Sequence, residues 1–271
     1  MQAYLVCATP RSGSTLLCEM LRDTGRAGRP LEHFEILRHS GLPRRPREYF
    51  QDLPDPELLE RLAEPQSHGP SRETPVDWWA RIVRDGSGDN GVWGGKLMWG
   101  HVDDLVSRAR ELPGLAGAQL EDVLDELLDD PQLIFVTRGD KIAQAVSLWR
   151  AIQTQSWRAD DERDAQTDQQ RDAQTVVYDF AGIDHLVAQL ESDERAWRQW
   201  FARTGRRPTG VTYEQLESVP GDTVAAVLRV LGLNDARVTV PRLSRQRDDL
   251  SEAWIERYRR ERGRRERDRA A

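Results

Sequence analysis

Apolar positions along the chain fall into two kinds of pattern. Unbroken apolar runs at Ala3 to Ala8 and at Leu133 to Thr137 are too short for helices and read as buried strands of a parallel sheet. Gly91 to Trp99 is a further strand candidate that ends in Lys96-Leu97-Met98-Trp99, and Val211-Thr212-Tyr213 is a short one. Elsewhere the apolar residues recur at helical spacing. Leu16, Leu17, Met20 and Leu21 mark a helix right after the first strand, with Ser14 as its expected cap. Helices are also predicted over Pro56 to Ala63, Val76 to Val83, Val102 to Leu112, Leu120 to Leu128, Lys141 to Trp157 and Thr223 to Leu231. A long amphipathic pattern from Phe180 through Trp197 and Phe201 ends near Gly205, and a basic helix is expected from Ser251 to Arg260. Strands that alternate with helices define an α/β class, a parallel sheet flanked by helices.

The length of 271 residues suits a single domain over 1–271 with a helical C-terminal part. Arg158 to Gln174 is charged and nearly devoid of large apolar residues, so a polar mobile loop is expected at about 158–174. A formal net charge of -7 argues against a nucleic-acid or anionic-membrane surface, which needs summed positive charge, and confines any basic site to a local patch. Only Lys96 and Lys141 are lysines among the 39 cationic side chains. Arginine forks suit planar anions, although codon bias explains the same usage. Cys7 and Cys18 alone form no secreted disulfide framework, and Met1 runs straight into the first strand without a leader pattern. A cytoplasmic protein is the expectation. No apolar run reaches membrane-spanning length.

The chemistry gathers where strands end. A strand, a glycine loop and a helix N-terminus converge unpaired N–H groups and a helix dipole on an anion, and Thr9-Pro10-Arg11-Ser12-Gly13-Ser14-Thr15 fits that arrangement. It lacks the second glycine and the lysine of a nucleoside-triphosphatase loop; an ordinary capping turn is the alternative. A second strand end carries Arg138-Gly139-Asp140, with Ser147 on the helix that follows. Glu32 and His33 lie side by side in a segment crossing back from Pro30 to Leu37. Neighbours in an extended segment face opposite ways, so only one of the two faces the reacting group. Glu32 serves as a general base if burial raises its pKa, whereas His33 is the more conventional base near neutrality. Lys96 ends the second strand, as a site cation or a surface lysine, and Trp99 is a sugar-stacking or a core residue. The five histidines are dispersed, and no metal cluster is evident.

Arg11-Ser12-Gly13-Ser14-Thr15-Leu16-Leu17, Gly28 to Phe34, Gly91 to Trp99, Gln144 to Ala151 and the tail Arg245-Gln246 with Trp254, Arg257 and Tyr258 resemble the bacterial trehalose 2-sulfotransferase family in order and spacing. The resemblance implies a P-loop-type, sulfotransferase-like sheet and 3′-phosphoadenosine 5′-phosphosulfate (PAPS) as sulfuryl donor, with no metal. It implies a hydroxyl acceptor on a sugar or glycosylated metabolite, and a homodimer. Pro10, Arg11, Ser12, Gly13, Ser14 and Thr15 would hold the 5′-phosphosulfate; Arg138, Ser147 and Arg245 would complete the donor site. Glu32 would be the base, with Arg11 and Lys96 stabilising charge. Gly139 and Gly100 depart from the wider pattern, and Gly100 leaves acceptors other than trehalose open. The competing readings are a P-loop small-molecule kinase, which needs a loop lysine and magnesium ligands, and a non-catalytic nucleotide-binding protein.

Overall fold

The computed structural model describes residues 2–35, 44–50, 52–53, 55–62, 73–155, 157, 176–239 and 249–270. In chain order the strands are β1 (Gln2–Ala8), β2 (Val92–Met98), β3 (Gln132–Thr137) and β4 (Thr209–Thr212). The helices are α1 (Ser14–Asp23), α2 (Pro56–Arg61), α3 (Pro75–Gly86), α4 (Val102–Ala109), α5 (Leu120–Leu128), α6 (Lys141–Thr154), α7 (Phe180–Thr204), α8 (Tyr213–Ser218), α9 (Pro220–Val230) and α10 (Asp249–Ala270). The expected α/β class is the one observed. The chain divides into two compact units, the first made of residues 1–43, 67–139 and 192–241, the second of 44–66, 140–191 and 242–271.

The first unit holds all four strands, parallel and in the order β2-β1-β3-β4. Side chains alternate across a strand, so the central β1 feeds two cores. Ala3, Leu5 and Cys7 join Trp78, Trp93, Leu97, α4, α5 and the Trp197-Trp200-Phe201 end of α7 on one face. Tyr4, Val6 and Ala8 join α1, Ile134, Val136, Val211, α8 and α9 on the other. Burial on both faces explains why β1 and β3 read as unbroken apolar runs rather than as alternating ones. The C-terminal ends of β1, β2 and β3 are brought level by this register, with Ala8 opposite Met98 and Cys7 opposite Phe135.

The second unit is built on aromatic packing. Phe50 meets Trp149 edge-on, and the Trp149 indole donates to the Val177 carbonyl at 2.8 Å. Trp254, Ile255 and Tyr258 of α10 are buried in the same cluster as Leu148, Ile152, Ile183 and Leu186. The Tyr258 hydroxyl donates to Asp184, and Arg150 donates to the Ser251 hydroxyl.

Most predicted helices match to within a turn, and the departures have local causes. α6 ends at Thr154 rather than Trp157 because Gln155 takes a left-handed conformation, with φ of 57°. Tyr213 begins α8 instead of ending a strand, since Thr212 and Gln215 form a reciprocal cap there. α10 continues well past Arg260 on ion pairs rather than apolar periodicity. The loop expected at about 158–174 lies outside the described residues. No helix among the described residues is long and apolar enough to cross a membrane.

Candidate active site

β1 ends at Ala8, whose carbonyl accepts a hydrogen bond from the Trp197 indole at 3.0 Å, and the chain then turns through the Thr9 to Thr15 loop. Arg11 and Gly13 both take positive φ, 60° and 89°. Gly13, not Ser14, is the N-cap of α1; Ser14 is the first helical residue and is buried. The expected serine cap is therefore absent, because Ser14 already lies inside the helix and the cap position falls on Gly13, which has no side chain. Gly13 offers α1 no side-chain cap, and the first turn of the helix carries no acid. The buried Ser12 hydroxyl has no hydrogen-bond partner among the described residues. Uncapped N–H groups, a helix dipole and an unspent hydroxyl together suit an anion.

A carboxylate is carried to the same end of the sheet by close backbone packing. Gly28 has φ of 63°, and a Cβ there would lie 2.6 Å from the Val92 carbonyl oxygen, so only glycine lets the segment run this near β2. Leu31 then bridges Gly95 in parallel, and the Lys96 N–H donates to the Leu31 carbonyl at 2.9 Å. That register puts Glu32 beside Lys96: Nζ lies 2.9 Å from Glu32 Oε2 and 3.2 Å from the Thr15 hydroxyl on α1. The Lys96 side chain is only 7% exposed. Burial lowers its pKa, but the charge and hydrogen bond of Glu32, with smaller help from Cys18 and Glu35, together outweigh that and hold it above the usual lysine value. Lys96 is thus a charged cross-link between β2, the Glu32 segment and the anion loop's helix. The burial expected to tune Glu32 is not what is found: its side chain is 26% exposed and ion-paired.

His33 faces the other way. Its Nε2 donates to the Arg29 carbonyl at 3.0 Å and its ring lies against Trp93. Burial lowers its pKa, and the Arg29 and Gly94 backbone groups offset this only in part. The segment is not extended here as expected: it turns at His33 and Phe34, with the Glu35 N–H donating to the Glu32 carbonyl at 3.3 Å, and the two candidate bases part at that turn.

The end of β3 supplies a third contribution. Arg138 is buried; its Nη1 donates to the Arg11 carbonyl at 3.2 Å, and its guanidinium lies 4.2 Å from the centre of the Tyr213 ring. Gly139 N–H donates to the Glu214 carboxylate at 3.0 Å. Pro10, Arg11, Ser12, Gly13, Ser14, Thr15, Glu32, Lys96 and Arg138 all belong to the first unit. Ser147 lies on α6 in the second unit, half-buried, and Arg245 lies outside the described residues. Trp99 packs edge-on against Trp197 at 5.0 Å, partly buried at the margin of the core. Tyr213 was not anticipated as a site residue; the acid-containing Tyr213-Glu214 pair directly after a strand was the available signal. Among the described residues no group of three or more His, Cys, Asp or Glu is arranged to hold a metal ion.

The sequence profile of the Stf0 sulphotransferase family matches residues 3–261. The chain belongs to this family. Trehalose 2-sulfotransferase of Mycolicibacterium smegmatis is 40% identical to it over 261 residues, covering 96% of this chain and 95% of that protein. Trehalose 2-sulfotransferase of Mycobacterium tuberculosis is 40% identical over 262 residues, covering 96% of each. As an Stf0 sulphotransferase the protein is an enzyme of sulfuryl transfer, and the anion loop and the Glu32-Lys96 pair fall inside the matched region.

Proposed function

We propose that this Stf0 enzyme transfers the sulfuryl group of PAPS to a hydroxyl of a carbohydrate, with Glu32 as general base. The observation that carries the reading is the Lys96 ammonium bonded at once to the Glu32 carboxylate and to the Thr15 hydroxyl. It ties a proton acceptor to the first turn of the helix that the anion loop opens. The names of the two relatives make trehalose the first acceptor to try.

The loop residues fit the donor's 5′ end: Ser12 has an unpartnered buried hydroxyl, and α1 is uncapped. Arg11 to Thr15 would hold that end through backbone N–H groups and the Ser12, Ser14 and Thr15 hydroxyls, with Pro10 shaping the turn; Arg138 and Ser147 would hold the 3′-phosphate, and Arg245 is a further donor-binding candidate. Bound PAPS supplies an activated sulfuryl group on a phosphate leaving group. In-line transfer then asks the protein for position, charge stabilisation and a base. Arg11 and Lys96 offset negative charge at the loop. Glu32 Oε takes the acceptor's hydroxyl proton, and Lys96 keeps that carboxylate in place as it does so. Residues 1–271 act as one catalytic domain in this reading, within a cytoplasmic homodimer; the free, buried Cys7 and Cys18 suit a reducing compartment.

Incubation with radiolabelled PAPS and a panel of hydroxyl acceptors tests the proposal. Label is expected on a carbohydrate, trehalose first. Label on phenols alone overturns the acceptor class, and magnesium-dependent phosphoryl transfer from ATP overturns the reaction.

A further inference from the structure

Tyr213 stands between two loops that the proposed donor site uses. On one side is Gly13 of the anion loop, where a Cβ would lie 2.9 Å from Tyr213 Cδ2. On the other is the Arg138 guanidinium, 4.2 Å from the ring centre, with Nη1 bonded to the Arg11 carbonyl at 3.2 Å. The ring itself is held firmly. Thr212 Oγ1 accepts from the Gln215 N–H at 3.2 Å, and Gln215 Oε1 accepts from the Thr212 N–H at 2.9 Å, so the first turn of α8 is locked at both ends. The neighbouring Glu214 accepts from the Gly139 N–H at 3.0 Å and so anchors the turn that carries Arg138.

We propose that Tyr213 is a positioning residue for the donor's 3′-phosphate: its ring holds the Arg138 guanidinium over its face, beside the anion loop, before the nucleotide arrives. The inference rests on the reading of Arg138 as a 3′-phosphate ligand. The physical case is electrostatic. A guanidinium over the negative face of an aromatic ring is held by its charge rather than by an acceptor atom, and a fork fixed in this way is the group that grips a phosphate bidentately. A long side chain that is already ordered gives up less rotamer freedom on binding. The Arg11 carbonyl takes one N–H and sets the rotation of the fork about its axis.

Calorimetric binding of adenosine 3′,5′-bisphosphate and of adenosine 5′-monophosphate tests this without turnover. Tyr213→Leu is expected to weaken the bisphosphate about tenfold while leaving the monophosphate unchanged, and Tyr213→Phe to retain wild-type affinity for both. Phenylalanines bearing successive ring fluorines at position 213 keep the shape but drain the ring's negative face, so bisphosphate affinity should fall stepwise. That series decides the matter even where the leucine variant does not fold. Equal losses for both nucleotides, or no dependence on fluorination, overturn the inference. Arg138→Ala separates the two levels. If it leaves the preference for the bisphosphate intact, the reading of Arg138 and the inference fall together. If it abolishes the preference while the Tyr213 variants do not alter it, the inference falls alone.

Discussion

Two helices of this protein follow a buried parallel strand after a short turn, and they begin in opposite ways. α1 starts from Gly13 in the left-handed region, a residue with no side chain to cap it, and has no acid in its first turn. α6 starts from Asp140, whose carboxylate accepts the Ala143 N–H at 2.9 Å and pairs with Arg259 at 3.0 Å. A carboxylate cap uses first-turn donors and places negative charge on the positive end of the dipole, so an incoming anion meets both a filled site and repulsion. At α1 those groups stay available. The strand-turn-helix unit is thus neutral as to function, and the cap residue decides between an anion cradle and a packed corner. At the end of β3 the Arg138 side chain is bonded to the anion loop through the Arg11 carbonyl.

The largest effect is expected at Glu32, the carboxylate tied by Lys96 to the first turn of α1. Glu32→Gln keeps an oxygen for Lys96 but removes the proton acceptor; kcat should fall about 10²- to 10⁴-fold while affinity for adenosine 3′,5′-bisphosphate persists. Unchanged turnover would take Glu32 out of the reaction. Next comes Gly13→Ala, which forces a side chain into left-handed φ and against Tyr213; a loss of about 1–3 kcal/mol in chemical denaturation and failure of nucleotide binding are expected. Asp140→Ala should cost about 1 kcal/mol of stability through the lost cap, with nucleotide affinity retained. The smallest effect belongs to Gly139→Ala. Its φ is not left-handed, and its Cβ would meet the Glu214 carboxylate, the oxygen at 3.4 Å and the carbon at 3.9 Å, so a change within about 0.5 kcal/mol is expected. If Gly139→Ala damaged nucleotide binding as much as Gly13→Ala, the two turns would not differ as described.

Much of the architecture was legible because burial leaves a periodic trace. β1 and β3 are covered on both faces, and that forces unbroken apolar runs. Where the trace is absent, legibility fails: beyond Tyr258, α10 is carried by Arg257-Glu261 and Arg262-Glu266 pairs that hydrophobic spacing does not register. The candidate site divides in the same manner. An extended segment would have made Glu32 and His33 face apart by alternation; the chain instead turns at His33, and which of the two meets the loop depended on the Leu31–Gly95 bridge just before that turn.

By itself, then, the sequence determined the order of strands and helices and the chemical groups waiting at their ends, since both are local properties of residue type and spacing. Tertiary structure alone decided their partnerships: Lys96 with Thr15 across 81 residues, and Arg138 with the Arg11 carbonyl across 127. Such contacts follow from strand order and register, which are set by how whole faces pack and leave no mark in the spacing of any single segment.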